Sequence, residues 1–286
     1  MSIRKMQAQL AIGLLTLGIG AMAQDTKLAP AGKYAEVNGL RMYYEIQGEG
    51  EPVVLLHGAF GNTGALPTIL QALVKSRKVI TLDFEGHGRT RDLDRPLNIE
   101  QMADDTAGLL KHLNLKDVDV FGYSMGGSVA LGIAIRHPDL VRRVAFLGSN
   151  AGSMKDTYEP ASYQQFLSLG PDFAPPVLKE PYERMAPDPK RWPILVEKIA
   201  KQGREFKGFS AAELKAIRAD ALIMQGDRDG VRPEHAVEIF RLIPKAQLVI
   251  FPGGDHFMPF HSPERILEVL VPFLNGVKPK SFFPLG

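Results

Sequence analysis

Apolar positions along the chain fall into two alternating textures. Short continuous apolar runs recur at 53–56, 78–82, 118–121, 144–148, 221–224 and 247–251. Runs of that length without polar alternation predict strands buried on both faces, which means a parallel sheet between two layers of helices. Between the runs, apolar residues return at helical spacing. Asn98 reads as an N-cap with Gln101 three residues on. Ile99, Met102, Ala103, Thr106, Leu109, Leu110 and Leu113 then share one helical stripe. Residues 124–136 are apolar nearly all round, so a buried helix is expected there, ended by His137-Pro138. Residues 233–243 and 263–274 read as later helices, each with Pro near its first turn. Ahead of all these, 33–37 and 40–47 flank Asn38-Gly39, a pair suited to a two-residue turn with positive φ at both centres. An antiparallel hairpin should open the sheet.

The alternation lapses between 150 and 218, where no strand-like run occurs. That stretch carries eight aromatic residues: Tyr158, Tyr163, Phe166, Phe173, Tyr182, Trp192, Phe206 and Phe209. So many rings would be poorly placed in water. A helical insertion packed over the sheet is expected, with helices over 190–201 and 210–218. The chain then divides into a core in two parts, 24–149 and 219–286, and an insertion at 150–218.

Residues 1–23 stand apart from both textures. Arg4 and Lys5 precede an apolar run, and Ala21-Met22-Ala23 puts small residues where a signal peptidase reads. The run is shorter than the ~20 residues a bilayer span requires. The expectation is therefore a signal peptide removed near Ala23, a protein in the periplasm or the medium, and no membrane span after processing. Charge follows from this. The chain has 34 Lys and Arg against 32 Asp and Glu, and loss of Arg4 and Lys5 leaves 32 of each sign. A neutral chain without a basic stretch excludes an electrostatic nucleic-acid binder. The absence of cysteine excludes disulfides, a thiol nucleophile and thiolate metal sites.

Candidate chemistry gathers where the runs end. Gly122-Tyr123-Ser124-Met125-Gly126 lies between the run at 118–121 and the buried helix. A serine on a sharp strand-to-helix turn has an exposed hydroxyl, and the crowding demands glycine two positions to either side. Such a hydroxyl needs a base within hydrogen-bond reach. Of the seven histidines, His256 follows the run at 247–251 and the flexible Pro252-Gly253-Gly254, at the strand end where parallel sheets hold ligands. His261 is its rival. The base in turn needs a carboxylate to set its tautomer, and Asp227 and Asp229 both follow the run at 221–224. One of that pair is expected to be a turn residue. Two N–H donors are needed for an oxyanion: Met125, at the helix start, and Ala59, in the loop 57–61, with Phe60 beside it. His57 should brace that loop. Phe60 and Trp192 are candidate walls for a substrate pocket.

Four landmarks now stand in order: the His57-Gly58 loop, Asp83-Phe84-Glu85-Gly86-His87-Gly88-Arg89-Thr90, the turn at Ser124, and the Asp229 and His256 regions. Together they resemble the α/β-hydrolase superfamily over essentially all of residues 24–286. The resemblance implies an eight-stranded, mostly parallel sheet flanked by helices, with 150–218 as a helical lid. It assigns the acid to Asp229, three residues after Gly226, and it gives His87 no catalytic part. A serine nucleophile separates this chain from the dehalogenase and epoxide-hydrolase branches, which use Asp there. The loop at 57–61 lacks the HGGG string of lipase-like members. Asp255, rather than glycine, precedes the base; it could tune the base or simply face solvent, and solvent is the expectation.

The expected activity is hydrolysis of a small ester or lactone through an acyl-enzyme on Ser124, a chemistry that needs no metal or organic cofactor. Three alternatives stay open: a ligand-binding member of the same fold with a dormant site, a carbon–carbon bond hydrolase, which shares the Ser-Met-Gly-Gly string, and a perhydrolase using the same three residues.

Overall fold

The computed structural model describes residues 32–279; the expected signal peptide lies outside them. Eight strands form one sheet in the order β1-β2-β4-β3-β5-β6-β7-β8. They are β1 (Lys33–Val37), β2 (Leu40–Gln47), β3 (Glu51–Leu56), β4 (Arg77–Leu82), β5 (Val118–Tyr123), β6 (Val141–Leu147), β7 (Asp220–Gly226) and β8 (Ala246–Phe251). β1 and β2 form the expected hairpin, with Asn38 at φ 50° and Gly39 at φ 79°. β2 pairs antiparallel with β4, and every later pairing is parallel.

Alternate residues of the central strands serve two opposed cores. Val54, Leu56, Val120, Val144, Phe146 and Ile223 face one, with α2 (Ile99–His112), α3 (Met125–Arg136) and α9 (Pro233–Leu242) packed on it. Val53, Leu55, Phe121, Ala145, Leu147 and Leu222 face the other, beneath α1 (Pro67–Leu73) and α11 (Pro263–Leu274), which follows the one-turn α10 (Met258–His261). Both strand faces are therefore apolar, which is why the sequence shows runs rather than alternation. Asn98 caps α2 as expected, accepting the Gln101 N–H at 2.6 Å, an arrangement worth about 1 kcal/mol.

The strand order reverses at β3, which pairs with β4 on one side and β5 on the other. The chain leaves β3 toward one side and β5 toward the opposite one. A crevice therefore opens between their carboxyl ends, where Leu56 stands beside Gly122.

Between β6 and β7 lie α4 (Met154–Thr157), α5 (Pro160–Leu167), α6 (Pro176–Met185), a short 3-10 turn (Pro189–Arg191), α7 (Trp192–Glu205) and α8 (Ala211–Lys215). The expected helices at 190–201 and 210–218 correspond to α7 and α8. α7 lays Trp192, Leu195, Val196 and Ile199 on the core. Its outer turn is latched by Asp92, which pairs with Lys198 at 2.5 Å and with Arg191. A second attachment joins the insertion to the loop after β7: Glu159 N–H donates to Gly230 O at 2.8 Å and Arg232 N–H to Thr157 O at 2.9 Å. Among the described residues, no helix is long and apolar enough to cross a membrane.

Candidate active site

Ser124 ends β5 and begins α3 with φ 54° and ψ −125°. A side-chain-bearing residue held there stores roughly 1–3 kcal/mol of strain. Its neighbours over-determine the conformation. Ser124 N–H donates to Leu147 O at 2.9 Å, and its own carbonyl accepts from Gly127 N–H and from the Ser149 hydroxyl, each at 2.9 Å. The flanking glycines are required by backbone crowding: a Cβ on Gly122 would stand 2.2 Å from Gly126 O, and one on Gly126 would stand 2.4 Å from His57 O.

His256 follows β8 and reaches Ser124 across the sheet edge. The serine hydroxyl donates to Nε2 at 2.9 Å, and Nδ1–H donates to Asp229 at 2.9 and 3.1 Å from its two carboxylate oxygens. Those two contacts together specify the tautomer with the proton on Nδ1. Burial works to lower the His256 pKa, but the charge and hydrogen bond of Asp229, with a further contribution from Asp255, hold it above the ordinary imidazole value. Burial opposes ionisation of Asp229 as well. The neighbouring imidazole and the Val231 and Gly230 N–H groups outweigh it and keep the carboxyl below its usual range.

Asp227 serves the structure instead. It accepts the Gly253 N–H at 2.7 Å and so braces the loop that carries His256. Two supporting residues were not anticipated. Gly148, at φ 60°, leaves room for the pair, since a Cβ there would stand 2.7 Å from Asp229 Oδ2. Tyr123 donates its hydroxyl to His256 O at 2.8 Å and lies 5.3 Å from the imidazole, ring to ring. The glycine closing the run at 144–148 was the only sequence signal for the first; nothing in the sequence marked the second.

The other candidates separate cleanly. His57 is buried, donates from Nδ1 to Gly58 O at 2.7 Å and accepts the Phe84 N–H on Nε2 at 3.3 Å. Burial, aided by the neighbouring His87, pushes its pKa down to about 3, so it braces the loop as a neutral ring. His87 is buried too, with its pKa pushed down to about 4. His261 is half exposed and pairs with Asp255 at 2.8 Å rather than with Ser124. Asp255 does face solvent, but it also ties His261 and the Phe257 N–H to the rim.

Two cavities meet at Ala59. The inner one, about 60 Å³, is bounded by Ser124, Met125 and Ala59 on the core side and by Tyr158, Phe166 and Gln202 on the insertion side, among others. The outer one, about 730 Å³, runs past Phe60 and Tyr123 between α6 and the half-exposed Phe257 and Phe260. The Met125 and Ala59 N–H groups have no acceptor among the described residues, leaving both available to a ligand. Phe60 lines the outer cavity from a left-handed backbone position, φ 64°. Trp192 lines neither. It is fully buried, donates its indole N–H to Phe173 O at 2.7 Å, and backs Phe60 with the rings 5.3 Å apart. Tyr158 and Gln202 were missed as pocket residues. For Gln202 a signal existed: it continues the buried stripe 192, 195, 199 along α7, where an apolar residue belongs. Among the described residues, no group of His, Asp and Glu is arranged to hold a metal ion.

Comparison with known proteins bears on this arrangement. A model of the alpha/beta hydrolase family matches residues 53–269. The chain is 27% identical to a 2-hydroxymuconate semialdehyde hydrolase of a Pseudomonas species, over 82% of this chain and 91% of that one. It is 28% identical to a 2-hydroxy-6-oxo-2,4-heptadienoate hydrolase of Pseudomonas putida, over 86% and 97%. Among solved structures, a thermophilic esterase from Thermogutta terrifontis superposes with a TM-score of 0.70 at 24% identity, over 86% of this chain and 98% of that one. At that identity the superposition speaks for the fold alone.

Proposed function

Since the chain belongs to the alpha/beta hydrolase family, we propose that it hydrolyses a small carboxylic ester or lactone through an acyl-enzyme on Ser124. The observation that carries the reading is the unbroken set of hydrogen bonds from Ser124 Oγ through His256 to Asp229. As the serine oxygen attacks the carbonyl carbon, its proton passes to His256 Nε2. Asp229 stabilises the imidazolium so formed and keeps the ring oriented. The carbonyl oxygen, now an oxyanion, is held by the Met125 and Ala59 N–H groups, with the N-terminus of α3 adding its partial positive charge. His256 returns the proton to the departing alkoxide. Water, deprotonated by the same ring, then releases the acid. The insertion acts as a lid over this chemistry. Residues 1–23 act as an export signal, so the enzyme works in the periplasm or outside the cell.

The two relatives named as a 2-hydroxymuconate semialdehyde hydrolase and a 2-hydroxy-6-oxo-2,4-heptadienoate hydrolase raise carbon–carbon bond hydrolysis as a second reading. Their names denote carboxylate-bearing substrates. The residues lining the inner cavity include no Lys, Arg or His, and a carboxylate taken from water into such a lining has no counter-charge. This favours an uncharged acyl group, hence an ester or lactone. The test is a screen of esters of graded acyl length, lactones and a 6-oxo-dienoate on protein lacking residues 1–23, beside Ser124→Ala. Turnover of short-acyl esters or lactones that vanishes in the variant is expected. Faster turnover of the dienoate than of every ester would favour the second reading. No turnover of any ester or lactone by folded protein would contradict the first.

A further inference from the structure

The inner cavity contains a polar side chain with nothing to bind. Gln202 is 9% exposed and lines the cavity with Ser124, and its amide makes no hydrogen bond to any described residue. Its neighbours find partners: Asn150 donates to Gly152 O at 2.6 Å, and the Ser128 hydroxyl donates to Asn150 O at 2.7 Å. Tyr158 also lines the cavity, and its hydroxyl makes no hydrogen bond to a described residue. An apolar residue at position 202 would complete the buried α7 stripe, so the amide is the exception on that face, and it lines the cavity without a protein partner. Gln202 is also held firmly. The Asp92 latch on Lys198 lies one turn before it, and Tyr158 is pinned to the loop of Asp229 by its bridge to Val231.

We infer that Gln202, assisted by the Tyr158 hydroxyl, recognises an uncharged oxygen on a short acyl group, such as a hydroxyl or keto group a few atoms from the scissile carbonyl. The inference rests on the proposed ester hydrolysis and names the acyl class within it. Size and charge both limit that class. A water-sized group needs at least about 10–15 Å³ of such space, so a cavity of about 60 Å³ takes a group of only a few heavy atoms. The lining is uncharged, so a neutral oxygen is favoured over a carboxylate. An amide offers both N–H and C=O to that oxygen, whereas a methyl group in its place leaves the amide unpaired. The leaving group then occupies the larger apolar cavity beyond Ala59.

The experiment compares kcat/KM for three 4-nitrophenyl esters, 3-hydroxybutyrate, its isostere 3-methylbutyrate and hemisuccinate, on wild-type protein, Gln202→Met and Tyr158→Phe. The ratio of the first two substrates is read within each protein, so it is independent of how much of a variant is active. In the wild type, 3-hydroxybutyrate should exceed 3-methylbutyrate by about tenfold, the scale of one buried hydrogen bond. Hemisuccinate should be the poorest of the three. Gln202→Met should bring the hydroxy-to-methyl ratio near one, and Tyr158→Phe should lower it by a smaller factor. A wild-type ratio at or below one, or a ratio unchanged in Gln202→Met, overturns the inference while leaving ester hydrolysis intact. Absence of cleavage of all three esters by the wild type, together with no turnover in the wider ester and lactone screen, overturns the underlying reading and this one with it.

Discussion

The rim of the sheet and the helical insertion above it are held in place by different means. At the rim, backbone meets backbone. Gly122 and Gly126 admit no side chain, Ser124 is locked at positive φ, and the loops after β7 and β8 approach until a Cβ on Gly226 would stand 2.2 Å from Gly254 O. The insertion rests instead on aromatic packing around Trp192, a few backbone hydrogen bonds and the charged latch at Asp92. The first kind of contact tolerates little displacement and suits bond-making chemistry. The second can be repacked without disturbing the rim, and suits the choice of substrate. Changes at the rim should therefore slow every substrate alike, while changes in the insertion should reorder substrates.

The largest effect should come from Ser124→Ala, with kcat for any ester falling about 10⁵-fold or more while the melting temperature holds, since alanine keeps the Cβ and the backbone hydrogen bonds that fix the turn. A loss confined to some acyl groups would break the comparison. Asp229→Asn keeps the shape but not the charge that sets the His256 tautomer, and should cost about 10⁴-fold in kcat, again for every ester in a panel. Asp92→Ala should act on the other region. It leaves Lys198 and Arg191 without their nearly buried partner, at a cost of about 2 kcal/mol given the partial exposure of the arginine. Thermal melts should show a drop of about 5 °C, and KM should rise more than kcat falls. The smallest effect should come from Asp255→Asn. Because the base must be neutral, kcat/KM falls as pH drops through the His256 pKa, which lies above the ordinary imidazole value. Removing the Asp255 charge lowers that pKa, so the acid limb of the pH profile should move to lower pH with the plateau retained.

The same contrast explains what the sequence revealed. Rim residues are written in glycines, strand ends and chain order, because crowding permits few residue types there. Ser124, Asp229 and His256 could therefore be named as candidates, and all eight strands and the hairpin turn lie where apolar runs and Asn38-Gly39 put them. The insertion is written in packing, which many sequences satisfy. Its short helices α4, α5 and α6 were not anticipated, since each is too short or too rich in proline for a clear stripe; α6 even carries Pro181 within it. Trp192 looked like a pocket wall because large aromatics often are. Its place behind Phe60 depends on how α7 lies on the core, which local sequence does not encode. Gln202 was legible only as an exception to an apolar stripe, and the helix had to be drawn far enough to see it.

The central claim is that the hydroxyl at position 124 becomes covalently bonded during turnover, activated by the imidazole beside it. Intact-protein mass spectrometry after treatment with a fluorophosphonate tests this directly. One adduct per chain is expected, mapped by peptide sequencing to Ser124, absent from Ser124→Ala and formed far more slowly by His256→Ala. Folded wild-type protein that takes up no label, or that carries it on another residue, would contradict the account.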